Sequence, residues 1–257
     1  MIRYLLFLLA LAAGLGLPHA RAATAQSSYE SGVTALRSGD AEAAATHLAA
    51  SLESGGRHPA VYHALGNALY RSGERGHATA AWRRAAHLAP RNGDIQANLD
   101  RVRREAEDRL DPSGAGPFIW QRLLSPAESA WLASLLAALG LAAAATRTWA
   151  RRRGSAGPAV GAETFALMGL SLLLATGTAF TALAPPGAVV VAPETSALSK
   201  FDSGVELFIL HAGAEVTLVE VYETHALVAL PDERKGWLPL DALVSVDPAA
   251  PFPLPAP

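Results

Sequence analysis

Few residues in this chain are placed for enzymatic chemistry. Eight histidines are present, none of them paired at the spacing a zinc helix needs, and neither a glycine-rich loop ending in Lys-Ser/Thr nor a Gly-x-Ser-x-Gly elbow occurs. His63, His77 and His87 fall in a helical region, where surface and capping roles are the ordinary ones. Glu128 and Glu163 stand at the ends of two apolar runs, where a carboxylate suits an aqueous boundary better than a proton relay. No cysteine occurs, which removes disulfides, thiolate metal sites and thiol catalysis. The side chains left for chemistry are amides and guanidiniums. Asn matches the donor and acceptor of a peptide backbone, and Arg takes a carboxylate in two parallel hydrogen bonds. That is binding chemistry, so the expectation is a protein without catalysis, cofactor or metal.

A repeat positions such residues. Between residues 28 and 110, Tyr62, Leu65, Gly66, Leu69, Ala78, Trp82 and Pro90 fall on the pattern Trp-x2-Leu-Gly-x2-Tyr, Ala-x3-Phe, Pro, with aromatic or aliphatic substitutes at three places. A shift of 34 residues upstream puts Gly32, Gly39, Ala44 and Leu48 under Gly66, Gly73, Ala78 and Trp82. Small residues at these places let paired antiparallel helices cross closely, and the large residue of the second helix fills the groove beside them. Gly39 and Gly73 fall between helices, and Pro90 ends the second unit. Residues 95–110 read as one more helix, with Ile95, Leu99 and Val102 on its apolar face.

This pattern resembles the tetratricopeptide (TPR) repeat, so residues 26–110 are expected to form a TPR α-solenoid of two repeats and a capping helix. The resemblance implies a concave face that holds an extended peptide, lined here by Tyr29, Arg37, His63, Asn67, Arg71, Asn98 and Arg101. Two repeats are fewer than the three usually needed for independent stability, so support from the membrane, a partner or self-association is expected.

Further along lie two runs long enough to cross a bilayer, which requires about 20 apolar residues. They are residues 127–146, with Glu128 at the edge, and 163–184, uncharged from Phe165 onward. Arg147, Arg151, Arg152 and Arg153 all fall in the connecting loop, residues 147–162, which the positive-inside rule places in the cytoplasm. At the N-terminus, Arg3, the apolar run Leu5–Leu17 and Ala20-Arg21-Ala22 read as a secretory leader, residues 1–22, cleaved after Ala22, with cleavage after Ala23-Thr24-Ala25 as the rival. Both signals put the regions before and after the hairpin outside, with residues 111–126 as a linker. Trp120, Trp131 and Trp149 suit an interfacial belt, and Gly140, Ala144, Gly169 and Gly177 suit close helix approach.

After Pro185-Pro186-Gly187 five short strands are expected, at 188–192, 206–211, 215–223, 226–230 and 243–246, forming a small barrel. In the third, Val216, Leu218, Glu220 and Tyr222 alternate with Thr217, Val219, Val221 and Glu223. Gly236-Trp237-Leu238-Pro239-Leu240-Asp241-Ala242-Leu243 resembles the closing signature of SH3 domains, which implies a small SH3-like β-barrel over residues 187–247. Ala242 stands where the peptide groove of such domains needs an aromatic, so Phe201, Phe208, Tyr222 and Trp237 are expected in the core. The region carries Lys200, Arg234 and Lys235 against ten acidic residues, a net of −7, and the whole chain carries −2, which argues against nucleic acid and other polyanions. Residues 248–257 read as a Pro-rich, solvated tail.

In this order, leader, TPR pair, hairpin and SH3-like domain resemble the BatE-type proteins of the Bat (Bacteroides aerotolerance) operons. The resemblance implies partners among membrane-bound von Willebrand factor A domain proteins and a MoxR-type ATPase, and a part in tolerance of oxidative or envelope stress. The expectation is a multidomain α and β scaffold of the bacterial inner membrane, its TPR and SH3-like modules facing the periplasm and binding envelope proteins. The alternative is a membrane protein whose SH3-like module binds peptidoglycan.

Overall fold

The protein is described by a computed structural model covering residues 21–108, 110, 123–154, 161–201 and 204–255. The leader, up to residue 20, and most of the 111–126 linker, Trp120 included, lie outside the described residues. The chain divides into two compact units, one formed by residues 1–112 with 185–257 and the other by residues 113–184.

The first unit opens with five helices: α1 (21–38), α2 (Ala41–Glu53), α3 (Pro59–Arg71), α4 (Arg75–Leu88) and α5 (Gly93–Glu105). Local chemistry sets their ends. The Asp40 side chain accepts the Ala43 N–H at the start of α2, Pro59 occupies the first turn of α3, and Asn92 accepts the Asp94 and Ile95 N–H groups at α5. Gly39 and Gly73 follow α1 and α3 with φ of 89° and 92°, a left-handed conformation that costs glycine nothing. The two helix pairs repeat the same packing 34 residues apart. A β-carbon on Gly32 would lie 2.6 Å from Leu48 Cγ, and one on Gly66 would lie 2.5 Å from Trp82 Cδ1. Leu48, Leu65, Leu69, Ile95, Leu99, Tyr62 and Trp82 form the core of this part. Each buried leucine there contributes roughly 1.5–3 kcal/mol.

Residues 187–245 form a seven-stranded antiparallel sheet in the order β3-β2-β6-β5-β4-β1-β7. The strands are β1 (Gly187–Val190), β2 (Glu194–Leu198), β3 (Glu206–His211), β4 (Glu215–Tyr222), β5 (His225–Ala229), β6 (Lys235–Pro239) and β7 (Leu243–Ser245), with a short 3-10 turn at Leu240–Ala242. The expected five-stranded closed barrel is therefore corrected to an open sheet with β3 and β7 at its edges. β2 and β6 escaped the sequence reading because Glu-Thr-Ser-Ala-Leu has no strong apolar alternation and β6 ends in proline. The alternation expected along β4 also fails. Its register shifts between Leu218 and Glu220, so Val221 now pairs with core Ala226, and Val219, Val221 and Tyr222 are left exposed. Edge strand β3 is blunted by an irregularity opposite Ala197 and Leu198, and the Asp108 carboxylate takes the His211 N–H at 2.6 Å.

The helices and the sheet, expected as separate modules, share a core. α4 is buried around most of its circumference, with Trp82 toward α3 and Gly76, Thr79 and Ala80 toward the sheet. A β-carbon on Gly76 would meet Val190 O at 2.6 Å. Glu215, 9% exposed, accepts from Arg83 on α4 at 2.9 Å and from Arg103 on α5 at 2.7 Å. The sheet covers one side of α4, so these helices are supported from within the chain, which differs from the expected support by membrane, partner or self-association. The tail, expected to be solvated, is so only in part: Asp247, Ala249, Pro251, Pro253 and Leu254 are exposed, while Tyr62 and Arg84 hold the Pro248 and Ala250 carbonyls and Phe252 packs against the helical core.

The second unit is a pair of helices, α6 (Pro126–Arg152) and α7 (Ala162–Leu183). Ser125 and Glu128 form a capping box at the start of α6. Gly140 is buried where a β-carbon would lie 3.1 Å from Met168 Cγ, and Ser171 Oγ donates to Ala133 O at 2.7 Å. Arg147 pairs with Glu163. Gly169 has nothing within 4 Å of its β-carbon position, so it takes no part in the close approach expected of it. Both helices are long and apolar enough to cross a membrane, and only 17% and 22% of their apolar windows are buried. Trp131, Phe165 and Leu172 point outward from the pair.

Candidate functional site

Five of the seven residues expected along the peptide face come together. His63, Asn67 and Arg71 recur every fourth residue on α3, Asn98 and Arg101 lie on α5, and with Tyr70, Trp82, Asp94 and Ala97 they line an open cleft of about 460 Å³. Tyr29 and Arg37 are not part of it. Tyr29 packs on the helical core from α1, and Arg37 is exposed on the same helix.

The floor of the cleft is aromatic and its wall is an amide network. The Tyr70 and Trp82 rings lie 5.5 Å apart at 42°. Trp82 Nε1 donates to Asn67 Oδ1 at 3.2 Å, and Asn98 Nδ2 donates to the same oxygen at 3.0 Å. Asn98 Nδ2 also lies 3.0 Å from His63 Nε2, which assigns that nitrogen as acceptor and the ring proton to Nδ1. Burial lowers the His63 pKa, with Asp94 opposing, so the neutral ring the network needs is also the favoured one.

The rim carries the charge. Arg71 Nη1 donates to Leu36 O at 2.9 Å and so caps α1. Arg101 is 61% exposed, its Nε 3.8 Å from Glu105 Oε1, while Tyr70 Oη donates to the other Glu105 oxygen at 2.8 Å. Arg101 and the Asn67 amide nitrogen thus face an incoming chain, and the Asn67 oxygen is already committed to the scaffold. Sequence reasoning missed Tyr70, Trp82, Asp94 and Ala97. The available signal was helical spacing: Tyr70 lies three residues after Asn67, and Ala97 and Asp94 lie four and seven residues before Arg101.

On the sheet, Phe208 packs against the core, with Arg234 4.8 Å over its ring. Phe201, Tyr222 and Trp237 do not join it. They cluster on the other face, with Phe201 4.7 Å from Tyr222 and 5.6 Å from Trp237, because Trp237 alternates with the inward Gly236 and Leu238.

No protein-family model matches the chain, and no curated protein and no solved structure matches it.

His211, where β3 meets the segment after α5, gives a pH test of this join. Its pKa is raised by the hydrogen bond that its ring makes to the Asp108 carboxylate, opposed by desolvation, with Asp108, Glu107 and Glu194 adding attraction. A folded-state pKa above the unfolded one stabilises fully below the unfolded value and loses that contribution as pH rises through the folded one. The thermal midpoint gap between the parent chain and His211→Gln is therefore expected to be widest below the ordinary histidine range and to close as pH rises above it. A gap that widens with pH contradicts this assignment. His63 and His77, lowered by burial, have the opposite sign and cancel in the comparison.

Proposed function

We propose that this chain is a membrane-anchored, non-catalytic scaffold of the bacterial envelope, with a TPR-like helical region that captures an extended peptide segment of an envelope partner. The observation that carries the reading is the cleft between α3 and α5, with an aromatic floor, oriented amides and an exposed arginine, in a helical region whose two helix pairs share the same packing 34 residues apart. Asn67 Nδ2 can meet a backbone carbonyl and Arg101 a carboxylate. The meander β4-β5-β6, with β1 pairing both β4 and the last strand, supports the SH3-like reading of the sheet, as does the Gly236–Leu243 segment. Outward apolar surface on α6 and α7 supports a membrane hairpin, and Arg147 and Arg151–Arg153 favour a cytoplasmic turn. Cleavage after Ala22 keeps Ala25, whose carbonyl accepts from buried Ser51 Oγ at 2.7 Å, whereas cleavage after Ala25 would remove that carbonyl with the leader. The partners this reading favours are membrane-bound von Willebrand factor A domain proteins with their ATPase, in a stress-tolerance role.

Two experiments test it. A photo-crosslinking residue at Ala97, on the cleft wall, is expected to trap a discrete envelope protein, and Arg101→Glu is expected to cut that adduct by about tenfold or more. Unchanged adducts in Arg101→Glu would remove the cleft from the proposal. Because the chain has no cysteine, single cysteines report topology cleanly. Arg57→Cys and Asp241→Cys are expected to react with an impermeant thiol reagent in spheroplasts, and Arg152→Cys only after lysis. Any other pattern overturns the topology.

A further inference from the structure

Pro-rich chain ends are ordinarily solvated, because proline donates no hydrogen bond and such a segment buries little. Here residues 245–252 are gripped. Arg84 on α4 is fully buried, and its guanidinium donates to Ser245 O through Nε at 2.9 Å and Nη2 at 2.7 Å, to Ala250 O through Nη1 at 2.8 Å and to Pro251 O through Nη2 at 3.1 Å. Tyr62 Oη donates to Pro248 O at 2.8 Å. The guanidinium carbon lies 5.8 Å from the Tyr62 ring centre and 4.9 Å from that of Phe252, both within cation–π reach. Phe252 also touches the cluster that Ala80 forms with Val189 and Val244.

The chemistry is that of recognition. A buried guanidinium is costly unless its donors are met, and the acceptors here are main-chain carbonyls of β7 and the tail. Carbonyls are the one polar group a Pro-rich segment always offers, and aromatic rings with a planar cation are the surfaces on which such segments dock. Pro248, Pro251, Pro253 and Pro255 restrict the free segment, so little conformational freedom is lost on docking.

We propose that the junction of α3, α4 and β7 is a binding site for an extended Pro-rich segment with an internal phenylalanine, and that residues 247–255 of this chain are its ligand in cis. Tethered directly after β7, the tail acts at an effective concentration of roughly millimolar, so a segment from elsewhere displaces it only at comparable concentration. Release of the tail uncovers the Arg84 cation and the apolar place of Phe252 and removes one tie between helices and sheet. The site is distinct from the cleft between α3 and α5 and does not depend on what the cleft binds.

The test uses the full chain in detergent, with a spin label on a single cysteine at Leu254, and a synthetic peptide of residues 247–257. The label is expected to be immobilised in the parent, to become mobile as peptide is added to millimolar concentration, and to be mobile in Arg84→Lys, which can satisfy fewer of the carbonyls, while helicity is unchanged. A label already mobile in the parent, or one that neither peptide nor Arg84→Lys releases, overturns the proposal. As a second arm, a chain ending at Val246 is expected to bind fluorescent peptide saturably, with about tenfold or more loss in Arg84→Lys. If the shortened chain loses its helicity, the spin-label arm alone decides.

Discussion

Replacing Glu215 by alanine is expected to cost about 3–5 kcal/mol, the range for removing one partner of a buried ion pair. The carboxylate is 9% exposed and held from two helices at once, by Arg83 at 2.9 Å and by Arg103 through Nε at 2.7 Å and Nη2 at 3.3 Å. Without it two guanidiniums, about three-quarters buried, face each other with no charge between them, and each loses a charge-assisted bond. Asp100, 3.6 Å from Arg103 Nη1, relieves only one of them. Urea unfolding followed by helical circular dichroism measures the effect. Glu215→Gln is expected to recover part of it, because the amide oxygen still accepts one bond. Equal midpoints for the parent and Glu215→Ala would mean that the ion-pair triad does not hold helices and sheet together.

Trp82→Ala is expected to be as severe, about 3–5 kcal/mol. Trp82 is 2% exposed, lies over Gly66 and against Tyr70, and its indole N–H is the donor that orients Asn67. The substitution opens a cavity in the helical core and frees Asn67 Oδ1 from one of its two donors. Leu48→Ala, at the equivalent place in the first helix pair, is expected to cost about 2–5 kcal/mol by cavity formation alone. Leu48 is fully buried over Gly32 but holds no cleft residue. The pair separates two roles. Trp82→Ala is expected to lower cleft capture beyond its loss of stability, whereas Leu48→Ala is expected to lower stability with capture intact under folding conditions, read from the Ala97 photo-adduct at matched fraction folded. Equal loss of adduct in both variants would assign Trp82 to packing only.

The choice of rim residue for functional tests changes once partners are known. Asn67 and Arg71 stand out in the sequence as peptide-binding residues. Asn67 supports Trp82 and Asn98, and Arg71 caps α1 through Leu36 O, so alanine at either place mixes scaffold damage with lost binding. Arg101, exposed and only distantly paired, is the cleaner probe.

What could be read without coordinates was whatever local periodicity specifies. Gly32, Leu48, Gly66 and Trp82 announce two helix pairs because packing within a pair depends on residues 16 apart in a fixed pattern. Ile95, Leu99 and Val102 show α5's buried face, and the two apolar runs show α6 and α7 by length and hydropathy. Spacing along α3 and α5 likewise brought His63, Asn67, Arg71, Asn98 and Arg101 onto one side. Tertiary structure decided the rest. The pairing of β2 with β6 and the open sheet depend on strand partners distant in the chain, and in β4 one shifted residue against β5 reverses which side chains are buried. Arg103 meets Glu215 across 112 residues, and Arg84 meets Ser245 across 161. Neither arginine differs in type or local spacing from those that stay in water. A guanidinium's place in the core is set by which carbonyls or carboxylates are brought to it, and only the folded chain brings them.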